Sequence, residues 1–254
     1  MVLDDRTAKC WGRNTFGQLG YGDTVMRGGG SGNGGMGASL FAIQVGLVRT
    51  MVSMISTGSD HTCVVLDDGS AKCWGKNDFG QLGYGDGRYA WGRNGGQMGA
   101  SLPAVDIGAG RKVVSISTGS QHTCAVLDDG SAKCWGRNGA GELGYGDTIE
   151  RGGGHPNVAE TMGVALPGID VGVGRTVVSI STGSQHTCVV LDDGTAKCWG
   201  KNDDGQLGNG LTGNRGNMQG QMGASLSAID VGEGRTVVSI SAGTGHTSIP
   251  HPEP

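Results

Sequence analysis

The strongest constraint on this chain is that it repeats itself. Cys-Trp-Gly occurs at Cys10, Cys73, Cys134 and Cys198, at spacings of 63, 61 and 64 residues. A glycine-rich phrase follows each anchor: GRNTFGQLGYGD (12–23), GKNDFGQLGYGD (75–86), GRNGAGELGYGD (136–147) and GKNDDGQLGNG (200–210). After a variable loop comes MGASLFAIQVG (36–46), with counterparts at 98–108, 162–172 and 222–232. The unit closes on VVSISTGS or a close relative, just before the next His-Thr. A period of this size belongs to architectures that stack equal units, each too small to bury its apolar face alone.

Composition agrees. The 254 residues include 53 glycines, far above the usual share of about 7%, without a Gly-X-Y period. Apolar residues make up 36% and aromatics 5%. Such a chain suits many turns and thin local cores, not one large core. The net charge is −4 with no basic cluster, which excludes a nucleic-acid footprint. No apolar run approaches the roughly 20 residues of a membrane span. Docking on a membrane complex is the membrane association left open. Met1 opens directly on repeat sequence, without the basic and apolar regions of a secretory leader.

Each unit reads as four short strands. Val177 to Ser181 alternates β-branched with small polar residues, as a half-buried strand should. His186–Leu191 is the second strand. Thr195–Gly200 is the third, across the Asp192-Asp193-Gly194 turn, and Leu166–Val171 is the candidate fourth. Helical periodicity is absent. Four strands per repeat is the signature of a β-propeller blade. The phrases His-Thr-Cys, Leu-Asp-Asp-Gly, Trp-Gly-Arg/Lys-Asn and Gly-Gln-Leu-Gly resemble the RCC1 (regulator of chromosome condensation) repeat family, over essentially the whole chain. The resemblance implies an all-β propeller of four-stranded antiparallel blades. Seven blades are usual in that family. The four units here give about four, in one domain over 1–254.

The cysteines follow from the hairpin. If Asp67-Asp68-Gly69 is a three-residue loop with Gly69 left-handed, Val65 faces Ala71 and Cys63 faces Cys73. That pair falls at a non-hydrogen-bonded site, with Cα atoms about 4.5 Å apart and within disulfide reach. The same count pairs Cys124 with Cys134 and Cys188 with Cys198. Three bridges point to an oxidising compartment: secreted, periplasmic or an organelle lumen. The other reading is buried free thiols in a reducing cytosol. Cys10 has no partner in its own unit and is expected to be a free thiol.

His61, His122, His186 and His246 hold one repeat position. A catalytic or ligand histidine does not need four copies, so a ring nitrogen bonded to nearby backbone is expected. The Asp-Asp pairs read as polar turns, because no EF-hand spacing surrounds them. CxxC spacing is missing, which argues against zinc. GQLG does not join a strand to a helix, which argues against a phosphate loop. Catalytic, cofactor and metal sites are therefore expected to be absent.

Function should lie in the variable loops 24–35, 87–97, 148–161 and 211–221. The second holds Arg88, Tyr89 and Trp91, an aromatic-basic cluster suited to a protein partner. A solvated flexible loop is the alternative. The leading expectation is a non-enzymatic protein-binding scaffold or stabilising subunit. The alternatives are a guanine-nucleotide exchange factor for a small GTPase, by family likeness, and an extracellular carbohydrate- or surface-binding module. One topological expectation remains. Val2-Leu3-Asp4-Asp5 matches Val65 to Asp68, and His246 to Ile249 matches His61 to Val64. Pairing His246–Ile249 with Thr7–Gly12 would close a four-bladed ring, with Ser248 facing Cys10.

Overall fold

A computed structural model describes residues 1–29, 35–46, 51–153 and 161–250. Parts of two variable loops (30–34 and 154–160) lie outside the described residues, as do 47–50 and 251–254. The described residues form twelve strands: β1 (Val52–Thr57), β2 (His61–Leu66), β3 (Ala71–Lys76), β4 (Ala90–Trp91), β5 (Val113–Thr118), β6 (His122–Leu127), β7 (Ala132–Gly136), β8 (Val177–Thr182), β9 (His186–Leu191), β10 (Ala196–Gly200), β11 (Ser241–Ala242) and β12 (Thr247–Ser248). They form antiparallel sheets in the orders β1-β2-β3-β4, β5-β6-β7, β8-β9-β10 and β11-β12. The turns between the first two strands of the four units converge on one shallow cavity. That convergence is the axis of a propeller.

The hairpin register is the one read from the sequence. Val65 lies opposite Ala71 and Cys63 opposite Cys73, with Gly69 at φ 83° in the turn. Glycine occupies such a left-handed position without the Cβ clash that other residues meet. Cys63–Cys73, Cys124–Cys134 and Cys188–Cys198 are disulfides, each with Cα atoms 4.1 Å apart. Cys10 is unpaired and buried. Arg6, at the position of the turn glycine, takes φ 60°.

The fourth strand differs from expectation. Leu166–Val171 is not a strand. It follows a 3₁₀ turn at Gly163–Ala165 and makes one ladder-like bond, from the Ile169 N–H to the Ala132 carbonyl. Pro167 lacks a donor, and Asp170 accepts the Gly172 N–H locally, so the segment crosses the blade instead of running along it. The fourth position belongs to the first half of the variable loop. Trp91 pairs with Gly75 there, and Arg27, Arg151 and Arg215 form single bridges with Gly12, Gly136 and Gly200. Tyr84 covers the rest of that edge. Its hydroxyl accepts the Cys73 N–H and donates to the Cys73 carbonyl.

One junction, made three times, joins the units. The carbonyl of Gln18 accepts Thr62 Oγ1 at 2.8 Å and Trp74 Nε1 at 3.0 Å. Gln81 receives Thr123 and Trp135 in the same way, and Glu142 receives Thr187 and Trp199. These three indoles are fully buried. Each lies on a glycine of the preceding unit, where a Cβ on Gly20 would approach Trp74 Nε1 to 2.7 Å. The histidines complete the junction, and here the expectation of a backbone partner is corrected. His61 Nε2 meets Thr123 Oγ1 at 2.9 Å, His122 meets Thr187 at 3.0 Å and His186 meets Thr247 at 2.9 Å. Each threonine proton goes to a carbonyl, so each imidazole must donate from Nε2. Nδ1 is then an acceptor, and in all three rings it has no partner. Burial lowers the pKa of His61 and His122 to about 3 and that of His186 to about 4.

The terminal segments do not close a ring. Thr247–Ser248 pairs with Ser241–Ala242, and among the described residues no hydrogen bond joins His246–Ile249 to Thr7–Gly12. Units touch their neighbours in sequence, and the first and last stay apart because each junction is made only with the adjacent unit.

Two outcomes follow. Thr123→Val removes the His61 acceptor and one donor to Gln81, and should cost about 1–3 kcal/mol in denaturant unfolding, with Thr123→Ser restoring most of it. Acid should also unfold the protein. The folded histidine pKa lies below the unfolded value of 6.5. Their stabilisation is therefore complete above pH 6.5 and lost as pH falls towards 3. Each contributes a slope approaching about 1.4 kcal/mol per pH unit. Buried Glu142, whose pKa is raised, opposes this. Comparing the slopes of wild type and His122→Gln isolates the histidine part, and equal slopes would contradict it.

Candidate protein-interaction site

Loop 87–97 is positioned by Asn77, whose side chain is fully buried. Its Oδ1 accepts the Leu82 N–H, its Nδ2 donates to the Arg88 carbonyl at 2.8 Å, and its backbone N–H donates to the Tyr89 carbonyl at 2.7 Å. Asn14, Asn138 and Asn202 pin the corresponding loops. The chain then reaches the bridge position opposite a glycine. Arg27 occupies it in the first unit, 4.0 Å over the Tyr21 ring and 2.7 Å from Asp23. Arg151 does the same with Tyr145 and Asp147.

In the second unit Trp91 takes the arginine's place. It meets Tyr84 edge-on at 5.6 Å and donates its Nε1–H to Asp86 Oδ2 at 3.2 Å. Arg88 lies 4.5 Å over its outer face. Trp91 is only 8% exposed, whereas Tyr89 is 49% exposed. The sequence grouped Arg88, Tyr89 and Trp91 as one exposed cluster. The structure separates them: Trp91 is a packing residue, Arg88 covers it, and Tyr89 faces solvent.

Tyr89 has companions that local sequence did not reveal. Phe16 of the first unit meets it edge-on at 6.0 Å, and Lys76 Nζ lies 5.0 Å from the Phe16 ring. Lys76 also pairs with Asp78 at 2.7 Å, which raises its pKa and keeps it charged. One unit further on, Arg137 lies 5.5 Å over Phe79. The same position holds Ala140 and Asp204 in the remaining units. Aromatic–cation pairs therefore mark one side of the molecule. The signal was the Phe before Gly-Gln-Leu in two of the four repeats.

The reactive side chains are committed elsewhere. Three histidines lie in junctions and six cysteines in bridges. Burial raises the Cys10 thiol to about 11, so it is protonated at neutral pH. The side-chain hydroxyls of Ser70, Ser131 and Thr195, and then their turn N–H groups, depress the pKa of Asp68, Asp129 and Asp193. Among the described residues no three His, Cys, Asp or Glu side chains cluster to hold a metal. No described helix is long and apolar enough to cross a membrane. Trp91→Ala should destabilise the protein by about 3 kcal/mol or more, as loss of a packed indole does. Tyr89→Ala should stay within about 0.5 kcal/mol of wild type. Chemical denaturation of the two variants checks the separation.

The model of the regulator of chromosome condensation (RCC1) repeat matches residues 52–81, 113–142 and 177–206. The chain is 28% identical over 240 residues to the human E3 ubiquitin-protein ligase HERC2, an overlap of 93% of this chain and 4% of that protein. It superposes on human WBSCR16 with a TM-score of 0.70 at 18% identity, covering 99% of this chain and 55% of that one. For Prp20p of Saccharomyces cerevisiae the TM-score is 0.63 at 18% identity, covering 94% and 50%. That structure is described together with binding of Prp20p to Gsp1p and histones. The chain thus spans a small part of HERC2 and about half of each solved propeller. The chain therefore carries RCC1 repeats in three places, on an RCC1-like β-propeller fold.

Proposed function

We propose that this chain is a non-enzymatic, protein-binding propeller, folded as one domain, that acts as a scaffold or stabilising subunit. One observation carries the reading. The repeated polar side chains are bound up in holding unit to unit, while the half-exposed Tyr89–Phe16–Lys76 cluster lies outside every junction. An exposed tyrosine on an aromatic and cationic base is the kind of anchor that dominates protein interfaces. The binding of Gsp1p and histones by Prp20p supports a protein as the partner class. Exchange activity on a small GTPase is supported by likeness of fold alone, which is an analogy.

Three disulfides are consistent with an oxidising compartment. We place the protein there, in a secreted, periplasmic or lumenal setting. Capture from its own secretome or lumenal extract should identify a partner. Tyr89→Ala and Phe16→Ala should then weaken that partner by at least about 1 kcal/mol each, with the denaturation midpoint unchanged. Unchanged capture by both variants would remove this face from the interface.

A further inference from the structure

The two edges of the stack carry complementary halves of the junction. At one edge Thr62 Oγ1 donates to Gln18 but receives no imidazole. At the other, His246 is exposed and meets no threonine among the described residues. Within the chain the same histidine-to-threonine step is made three times. The hydroxyl series behaves likewise. Ser56 meets Thr118 at 2.9 Å and Ser117 meets Thr182 at 2.8 Å, whereas Thr57 and Ser241 are the exposed ends of that series.

The tryptophans show it most clearly. Trp74, Trp135 and Trp199 are 0% exposed, but Trp11 is 45% exposed. A slot for it exists at the other edge. Gln206 O accepts Thr247 Oγ1 at 2.8 Å, as in each complete junction, but receives no indole. Gly208 and Ile229 stand where Gly20 and Ile43 flank Trp74, and they line an open cavity of about 270 Å³. A second cavity, of about 350 Å³, lies between Cys10-Trp11 and the Thr57–Thr62 turn, at the place of a second strand.

We infer that these edges dock on each other between two copies of this chain, head to tail and twice, to close one ring. The hairpin of β11 and β12 of one copy completes the blade that holds Lys9–Trp11 of the other. His246 then donates to the partner copy's threonine at position 62, and Trp11 fills the slot beside Gln206 and Gly208. Ser248 falls opposite Cys10. Ile249 and Met1 hold the same repeat position, so Ile249 turns aside, and Pro250 ends the ladder there because it has no N–H. The occupant is another copy because both edges already have this chain's own junction chemistry. Four units per copy give eight blades, the upper end of the usual range of about four to eight. A head-to-tail contact closes into a ring when its rotation allows.

Light scattering after size exclusion tests this on the full 254-residue chain at micromolar concentration. Twice 25.7 kDa is expected. Trp11→Ala should weaken the dimer at least about tenfold while the unfolding midpoint of the isolated chain is kept. Ser248→Cys under mild oxidation should give an interchain bond to Cys10, seen as a dimer on a non-reducing gel, and Ser225→Cys should not. A species of 25.7 kDa without that cross-link overturns the proposal. So does a bond between Cys10 and the introduced thiol within one chain, or a ladder of higher oligomers.

Discussion

The architecture depends on one backbone carbonyl per unit. Gln18, Gln81 and Glu142 each accept a threonine hydroxyl and an indole N–H from the following unit. A carbonyl has two lone pairs, and both are satisfied with no water required. At Gln81 and Glu142 the threonine then orients the imidazole of the unit before it, so one atom governs three side chains. Buried polar networks of this kind specify a unique arrangement when every member is paired. The unpaired Nδ1 atoms are the exception. Burial keeps these rings neutral, since protonation would leave a charged donor without a partner.

Covalent and polar restraints share the work that a large core would otherwise do. The three apolar clusters are thin, and each is filled by residues from neighbouring sheets. Every complete hairpin is closed by a disulfide at its non-hydrogen-bonded pair. The lysine preceding the second cysteine extends the restraint outward. Lys133 Nζ donates to the carbonyls of Ile107 and Gly163, and Lys197 donates to those of Val171 and Gly223. A side chain thereby anchors 3₁₀ turns that lack ladder bonds.

Features that depend on neighbours in sequence were legible. The Asp-Asp-Gly turn sets the hairpin register, and register alone brings Cys63 to Cys73. Features that depend on the next unit were not. His61 finds Thr123 across 62 residues, and no local pattern names that partner. Leu166–Val171 misled because alternation of apolar residues looks the same in a ladder and in a segment crossing one. Trp91 misled because an aromatic beside arginine reads as exposed. Aligning the loops by the glycine that follows Arg27, Trp91, Arg151 and Arg215 would have shown it in the bridge position.

The equal spacing of the junctions also shapes how such a chain reaches its fold. Each threonine-to-carbonyl bond closes a loop of similar length, with separations of 44, 42, 45 and 41 residues. Closure entropy grows only slowly with loop length, so every added unit meets nearly the same entropic barrier as the one before. Folding can therefore spread along the chain like a zipper, from whichever pair of units docks first. Near-identical units carry a matching hazard. The second unit's histidine and the third's present the same donor in the same frame, so a nascent chain can skip a unit and dock out of order. Loops of different sequence between otherwise equal blades work against that error, because they make the correct neighbour distinguishable from its copies.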